Sequence, residues 1–254
     1  MPLRPSVSVI IVTRDRPALL AHALHSIAAQ SVRPLEVRLA DDGETPVGDT
    51  LPDLPVLELT LLPVRAGQAG EARNAAAAGA RGDLLAFLDD DDVWLPGHLE
   101  GLCRAFADPD VGFAWRDCAV VREHVHDDGR REERARVTLA RDWDDAMMAE
   151  NDYLPPSAWA VRRALFERLG GFDRAFRCSE DWDFVLRAHA LTRMVRVPGV
   201  TCEVRLREYG NSSADFGPER IACLRALSAR HGLPHLEPRT FWEVAQAMGQ
   251  DPRA

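Results

Sequence analysis

Four consecutive aspartates, Asp89 to Asp92, follow directly on the apolar run Leu84 to Leu88. Carboxylates crowded this closely repel one another, raise each other's pKa and destabilise the fold. A bound divalent cation removes that cost, and an all-oxygen donor set suits Mg²⁺ or Mn²⁺. These ions are usually held by one or two carboxylates together with substrate phosphates. A second acidic pair, Asp41-Asp42, ends the run Leu35 to Ala40. A third group, Glu180, Asp181 and Asp183, follows Ser179 at the start of a helical pattern. By themselves they read as favourable charge at a helix N-terminus, worth about 0.3–1 kcal/mol. The chain has no lysine, so its 31 basic residues are all arginine. That argues against P-loop, protein-kinase and Schiff-base or pyridoxal chemistry, each of which needs an amine.

The elements that position these acids can be read from pattern. Val7 to Thr13 (VSVIIVT) is apolar and β-branched, as in a strand buried on both faces. Pro17 opens an amphipathic helix to about Gln30, with Leu19, Leu20, Ala23, Leu24 and Ile27 on one face. Leu35 to Ala40, Val56 to Leu62 and Leu84 to Leu88 read as further strands. Ala69 to Ala80 and Pro96 to Ala107 read as helices. Strands alternating with helices at this spacing predict a mostly parallel sheet flanked by helices. In open α/β sheets, ligands sit beyond the carboxyl ends of strands, and both acidic turns fall there.

Beyond residue 110 the pattern loosens. Val111 to Val121 could be a strand, and the charged run Arg122 to Arg136 reads as a solvated hairpin tip or loop. Ser157 to Arg162 and Val195 to Leu206 look extended. Arg163 to Leu169, Ser179 to Ala190, Pro218 to His231 and Thr240 to Met248 look helical. With no repeat and no low-complexity linker, we expect one compact domain. Residues 1–110 would form one half, and residues 111–254 a smaller subdomain packed on it, with C-terminal helices.

Composition narrows the class. At 254 residues, 46% hydrophobic and 28% charged, the chain is an ordinary globular protein. A formal charge of −9 disfavours nucleic acid and anionic membranes as partners. No apolar stretch approaches the roughly 18 residues of an integral membrane segment. Five irregularly spaced cysteines without a C-x-x-C pair, and no signal pattern, predict a reduced, cytoplasmic protein.

The strings VSVIIVTRDRP, LEVRLADDGE and EARNAAAAGARGDLLAFLDDDDVWLPGHLE occur in that order. They resemble the family 2 inverting glycosyltransferases of GT-A fold. RRALFERLGGFDRAFRCSEDWDFVLRA resembles that family's acceptor-side motif, so the likeness runs to about residue 190. It implies a non-processive enzyme that moves a sugar from a nucleoside-diphosphate sugar, with uridine first among the bases, to an acceptor hydroxyl. The acceptor could be a saccharide, a lipid-linked group, a peptide or a small metabolite. Asp42, or less well Asp41, would accept from the base imide N–H, with Val12 and Thr13 lining the base. Arg65 would contact base or phosphate, and Arg73 the diphosphate. Asp89 and Asp91 would be the DxD pair holding Mg²⁺ or Mn²⁺, with Asp90 and Asp92 as helpers. Asp181 would be the catalytic base. Trp159 and Trp182 are candidate platforms for a sugar face.

The sequence departs from the family's pattern in two places. VTRD stands where the family has PTYN, which puts Arg14 and Asp15 in place of an aromatic and an amide. The segment Arg205 to Ser213 lacks the family's late histidine, for which Arg207 or Glu208 could substitute. Two other classes share part of the pattern. One is a haloacid-dehalogenase-like phosphatase, which would need its aspartate on the first strand and a later lysine. The other is a non-catalytic nucleotide-sugar binder.

Overall fold

A computed structural model describes residues 4–126, 130–208 and 216–249. Strand β1 (Val7–Thr13) is buried on both faces over nearly its whole length, as its apolar run requires. Helix α1 (Pro17–Ala28) begins at a proline whose fixed φ suits the first helical turn, and buries Leu20, Ala23, Leu24 and Ile27 against the sheet. There follow β2 (Glu36–Asp41), β3 (Leu59–Pro63), α2 (Ala69–Ala77), β4 (Leu84–Asp89), the short β5 (Val93–Trp94) and α3 (His98–Ala105). Strands β3, β2, β1 and β4 lie side by side in that order and all run parallel. The order therefore reverses at β1, and a crevice opens between the carboxyl ends of β1 and β4. This is where ligands bind in open α/β sheets.

The sheet continues through residues beyond 110. β6 (Val111–Val125), β7 (Arg131–Leu139), β8 (Trp159–Arg162) and β9 (Arg193–Arg207) extend it to nine strands in the order β3-β2-β1-β4-β8-β6-β9-β5, with β7 paired to β6. β8 runs antiparallel to both β4 and β6, and β9 runs parallel to β6. The architecture is thus α/β with a mixed, mostly parallel sheet. Helices α4 (Asp145–Met148), α5 (Arg163–Arg168), α6 (Glu180–His189), α7 (Pro218–His231) and α8 (Phe241–Met248) complete the order.

Of the two readings of the charged run 122–136, hairpin or loop, the structure shows the hairpin. Its arms belong to β6 and β7, which pair from Cys118–Leu139 out to Val125–Arg131. The charges neutralise one another along the ladder, as Arg131 does with Glu123 and Arg136 with Glu133 (2.7 Å) and Glu203 (2.7 Å). An exposed hairpin needs no apolar alternation when cross-strand ion pairs cover it.

An aromatic cluster seats α6 on the sheet. Trp159 of β8 lies 4.7 Å from Phe87 of β4 and stacks 5.6 Å from Phe184 of α6, while Phe172 lies 5.1 Å from Phe184. Such pairs contribute about 0.5–1.5 kcal/mol each beyond the area they bury. Trp159 is fully buried, which corrects its expected role as a sugar platform: no face of its indole reaches a ligand. Trp182 is also nearly buried and donates its indole N–H to the Met148 carbonyl (3.0 Å). Among the described residues no helix is long and apolar enough to cross a membrane, and all five cysteines are free thiols.

Candidate active site

A cavity of about 620 Å³ opens at the β1/β4 crevice and runs to the first turn of α6. Its wall includes Val12, Arg16, Arg73, the four aspartates 89–92, Glu180 and Asp181. Thr13, Asp41, Asp42 and Arg65 lie outside that wall.

The four aspartates divide by their partners. Asp90 and Asp92 are buried and committed to the protein. Asp90 accepts from the Thr13 hydroxyl (2.6 Å) and pairs with Arg16 (2.8 Å). Asp92 accepts from the Ser157 hydroxyl (2.5 Å) and the Arg205 backbone N–H (2.9 Å), and Ser157 in turn accepts from the Asp89 N–H (3.0 Å). The side chains of Asp89 and Asp91 keep 32% and 18% of their surface exposed, against none for Asp90. Burial pushes the Asp90 carboxyl up to about 7, with Arg16 pulling it down and Asp91 pushing it further up. Asp92 is driven well above the usual carboxylate range by burial, then by Asp91 and Asp89. Asp91 is raised by burial and Asp89 against the pull of Arg16 and Arg207. A turn held in this state is poised to accept positive charge.

Arginines supply part of that charge. Arg16, just after β1, spans the crevice to Asp90 and Asp91 (3.1 Å). Arg207 of β9 reaches Asp91 (3.2 Å) from the other side. Buried Arg73 of α2 joins Asp89 (2.6 Å) to Glu180 (2.7 Å). That bridge depends on close helix packing: a Cβ on Gly70 would lie 2.8 Å from the Glu180 side chain. Sequence reasoning missed Arg16 and Ser157. Arg16 stands three residues past Thr13, but nothing local shows that it turns toward a strand 75 residues away. Of the two candidates for the absent histidine's place, Arg207 meets the acidic turn, whereas Glu208 turns to His124 (3.0 Å). Residues 209–213 of that segment lie outside the described residues.

The third acidic group also divides. Asp183 is fully buried, pairs within α6 with Arg187 (2.7 Å) and ties the helix to α7 through Arg230 (3.2 Å) and His231 (2.9 Å). Glu180 is raised by burial and by Asp181, opposed by Arg73. Asp181 is partly exposed on the cavity, and among the described residues its carboxylate accepts only its neighbour's N–H, from Trp182 (2.9 Å). Ser179, which opens this helix, sits in the left-handed region at φ 60°. A non-glycine residue held there stores about 1–3 kcal/mol, a cost that clusters at functional sites.

The Asp41-Asp42 turn is built differently. Asp41 accepts from the N–H groups of Gly43 (3.2 Å) and Val47 (3.0 Å). Asp42 accepts from Ala66 (2.6 Å) and Gly67 (2.9 Å), and so fastens the loop after β3. Asp15 accepts from Thr45 N–H (3.0 Å) and braces the same turn. Arg65 is exposed and donates to its neighbour's carbonyl, Val64 (2.7 Å).

Fit to a divalent cation can be judged from the oxygen set. Among the described residues no group of three or more Asp, Glu, His or Cys side chains forms a cage. Two cavity-facing carboxylates, Asp89 and Asp91, fit the pattern of an ion that completes its shell with substrate phosphates and water. The residues fit such an ion.

The model of glycosyl transferase family 2 matches residues 8–170, which contain both acidic turns and β8. This chain belongs to glycosyl transferase family 2. It is similar to YwdF, an uncharacterized glycosyltransferase of Bacillus subtilis (strain 168), with 34% identity over 241 residues, covering 92% of this chain and 87% of that one. In structure it is similar to S. aureus TarS 1-349 solved with UDP-GlcNAc (TM-score 0.60, 18% identity, 96% of this chain and 71% of that one). It is also similar to the mannosyltransferase PcManGT of Pyrobaculum calidifontis solved with GDP-Man and Mn²⁺ (TM-score 0.59, 22% identity, 99% and 67%). The fold of the chain is therefore that of the GT-A transferases, and the protein is a glycosyltransferase. The phosphatase and non-catalytic readings of the acidic motif are set aside by that membership.

Proposed function

We propose that this glycosyltransferase is metal-dependent, inverting and non-processive. It takes its sugar from a nucleoside-diphosphate sugar, uridine diphosphate first among them, and passes it to an acceptor hydroxyl. The observation that carries this reading is the cavity itself: two half-buried carboxylates at one strand end on one wall, and the partly exposed carboxylate of Asp181 at the start of α6.

Asp89 and Asp91 would hold Mg²⁺ or Mn²⁺ on the diphosphate, and such an ion offsets charge building on the leaving phosphate. Arg73, already between Asp89 and Glu180, orients the diphosphate by the same guanidinium. Asp42 accepts the base imide N–H. Its two loop amides occupy some of the roughly four lone-pair positions of a carboxylate and leave others open. Asp41, whose oxygens serve its own turn, is the lesser choice. Val12 lines the base, Thr13 contributes backbone, and Arg65 closes from the loop that Asp42 fastens. Asp181 removes the proton of the acceptor hydroxyl as that oxygen attacks the anomeric carbon opposite the departing diphosphate. One in-line displacement inverts the configuration. A carboxylate is a weak base for an alcohol, so the proton moves late. Residues 1–110 serve the sugar donor, and residues 111–254 the acceptor.

A thermal-shift panel of UDP, GDP and TDP, each with Mn²⁺ and with chelator, tests the reading. A ligand at about 100 times its Kd stabilises by roughly 2.7 kcal/mol. One nucleotide giving a shift that chelation abolishes supports it. A flat panel on folded protein contradicts it.

A further inference from the structure

The cavity extends past Asp181 to a wall whose arginines all lie beyond the family match at residues 8–170. Three arginines line that wall from three separate segments: Arg177 ahead of α6, Arg220 in the first turn of α7, and Arg239 ahead of α8. Little in the protein neutralises them. Among the described residues Arg177 pairs only with Glu219 (2.7 Å), where both side chains are about 60% exposed and the pair is worth little. Arg239 donates to the neutral amide oxygen of Asn151 (3.0 Å). The Nε of Arg220 is buried and meets no hydrogen-bond acceptor among the described residues. A buried charged donor left without an acceptor is costly and rare in a folded protein. The acids on the same wall do not cancel the arginines. Glu150 and Glu237 are exposed, and Glu237 pairs with His235 (3.1 Å). Arg220 pulls the Asp152 carboxyl down, but burial and Asp181 outweigh that pull and hold it well above the usual carboxylate range.

We propose that Arg220, with Arg177 and Arg239, forms an anion subsite for a phosphoryl group carried by the acceptor, so that the sugar is transferred to a phosphorylated hydroxyl compound. This rests on the glycosyltransferase reading of the cavity. A carboxylate is satisfied by one guanidinium fork, whereas a phosphoryl group has enough oxygens for several. Guanidiniums from three segments suit the second better than the first.

The test uses the intact protein with inorganic phosphate and methyl phosphate as probes and acetate at equal ionic strength as the comparison. Each is titrated calorimetrically, first on the free protein and then with UDP and Mn²⁺ at saturation. Both phosphates are expected to bind in both states, with acetate at least tenfold weaker. Arg220→Gln and, separately, Arg239→Gln should weaken phosphate at least tenfold and fivefold. Arg225→Gln, an exposed arginine of the same helix off the cavity wall, should bind as wild type. Equal binding of acetate overturns the phosphoryl assignment. Phosphate binding lost when UDP and Mn²⁺ are present, or unchanged in both cavity variants, overturns a separate subsite. Absence of any nucleotide binding would instead strike the donor reading, while the phosphate titration on the free protein still decides this proposal.

Discussion

The turns at Asp41-Asp42 and at Asp89 to Asp92 carry the same local signal, aspartates at the carboxyl end of a buried parallel strand, but the fold uses them in opposite ways. The first is satisfied by backbone: Gly43, Val47, Ala66 and Gly67 donate their N–H groups to it. The second is balanced by side-chain cations from distant segments, Arg16, Arg73 and Arg207. Amides fixed in a loop hold one geometry. Guanidiniums on long side chains can yield to a competing cation or share a phosphate. The difference teaches that the first turn shapes the site, while the second is where charge is exchanged.

The largest effect should come from the second turn. Asp91→Ala is expected to lower turnover about 10²–10³-fold, since several kcal/mol of charge stabilisation go with it. It should also abolish the chelator-sensitive part of nucleotide affinity, with folding stability kept or improved because one like charge is gone. Calorimetry with and without Mn²⁺ checks this, and unaltered affinity would break the comparison. Arg16→Gln should destabilise the metal-free protein by about 1–3 kcal/mol, discounted because Arg16 is more than a third exposed. Mn²⁺ with nucleotide should restore most of that loss in a thermal scan.

At the first turn the sign of the pattern reverses. Asp41→Ala strands two amide donors and should cost about 1–3 kcal/mol in a urea titration. Its turnover per folded molecule should stay within a few-fold of wild type. The smallest effect concerns Glu36, at the other end of β2. Burial pushes its carboxyl up, but the Arg81 N–H, the Ser8 hydroxyl and the Arg81 guanidinium outweigh burial and hold it below the usual range. A carboxyl depressed in the folded state stabilises above its unfolded pKa and loses that contribution as pH falls through the folded value. Acid melts should therefore show a decline below the ordinary glutamate range that Glu36→Gln flattens.

Much of this was legible in the chain. The run VSVIIVT, Pro17 and the apolar face of α1 report local physics, and β1 and α1 form where those signals lie. The acidic strand ends were visible for the same reason. What was not visible is which aspartates on the cavity wall are buried and which stay partly exposed. That is decided by Thr13, Ser157 and the Arg205 backbone, each 65 or more residues away from its partner. The extent of β7 was not legible because its residues pair by charge with a neighbouring strand and show no apolar alternation. Trp159 looked like Trp182 in sequence, and only the cluster with Phe87 and Phe184 shows that it is core.

The most direct test of the central claim is donor cleavage by Asp181→Asn. With the nucleotide chosen by the thermal panel and Mn²⁺ present, wild type should slowly release nucleoside diphosphate from its nucleotide sugar into water. The variant should bind that nucleotide with unchanged Kd and release at least about a hundredfold less, the range a positioned general base supplies. Release at the wild-type rate from Asp181→Asn would contradict the account.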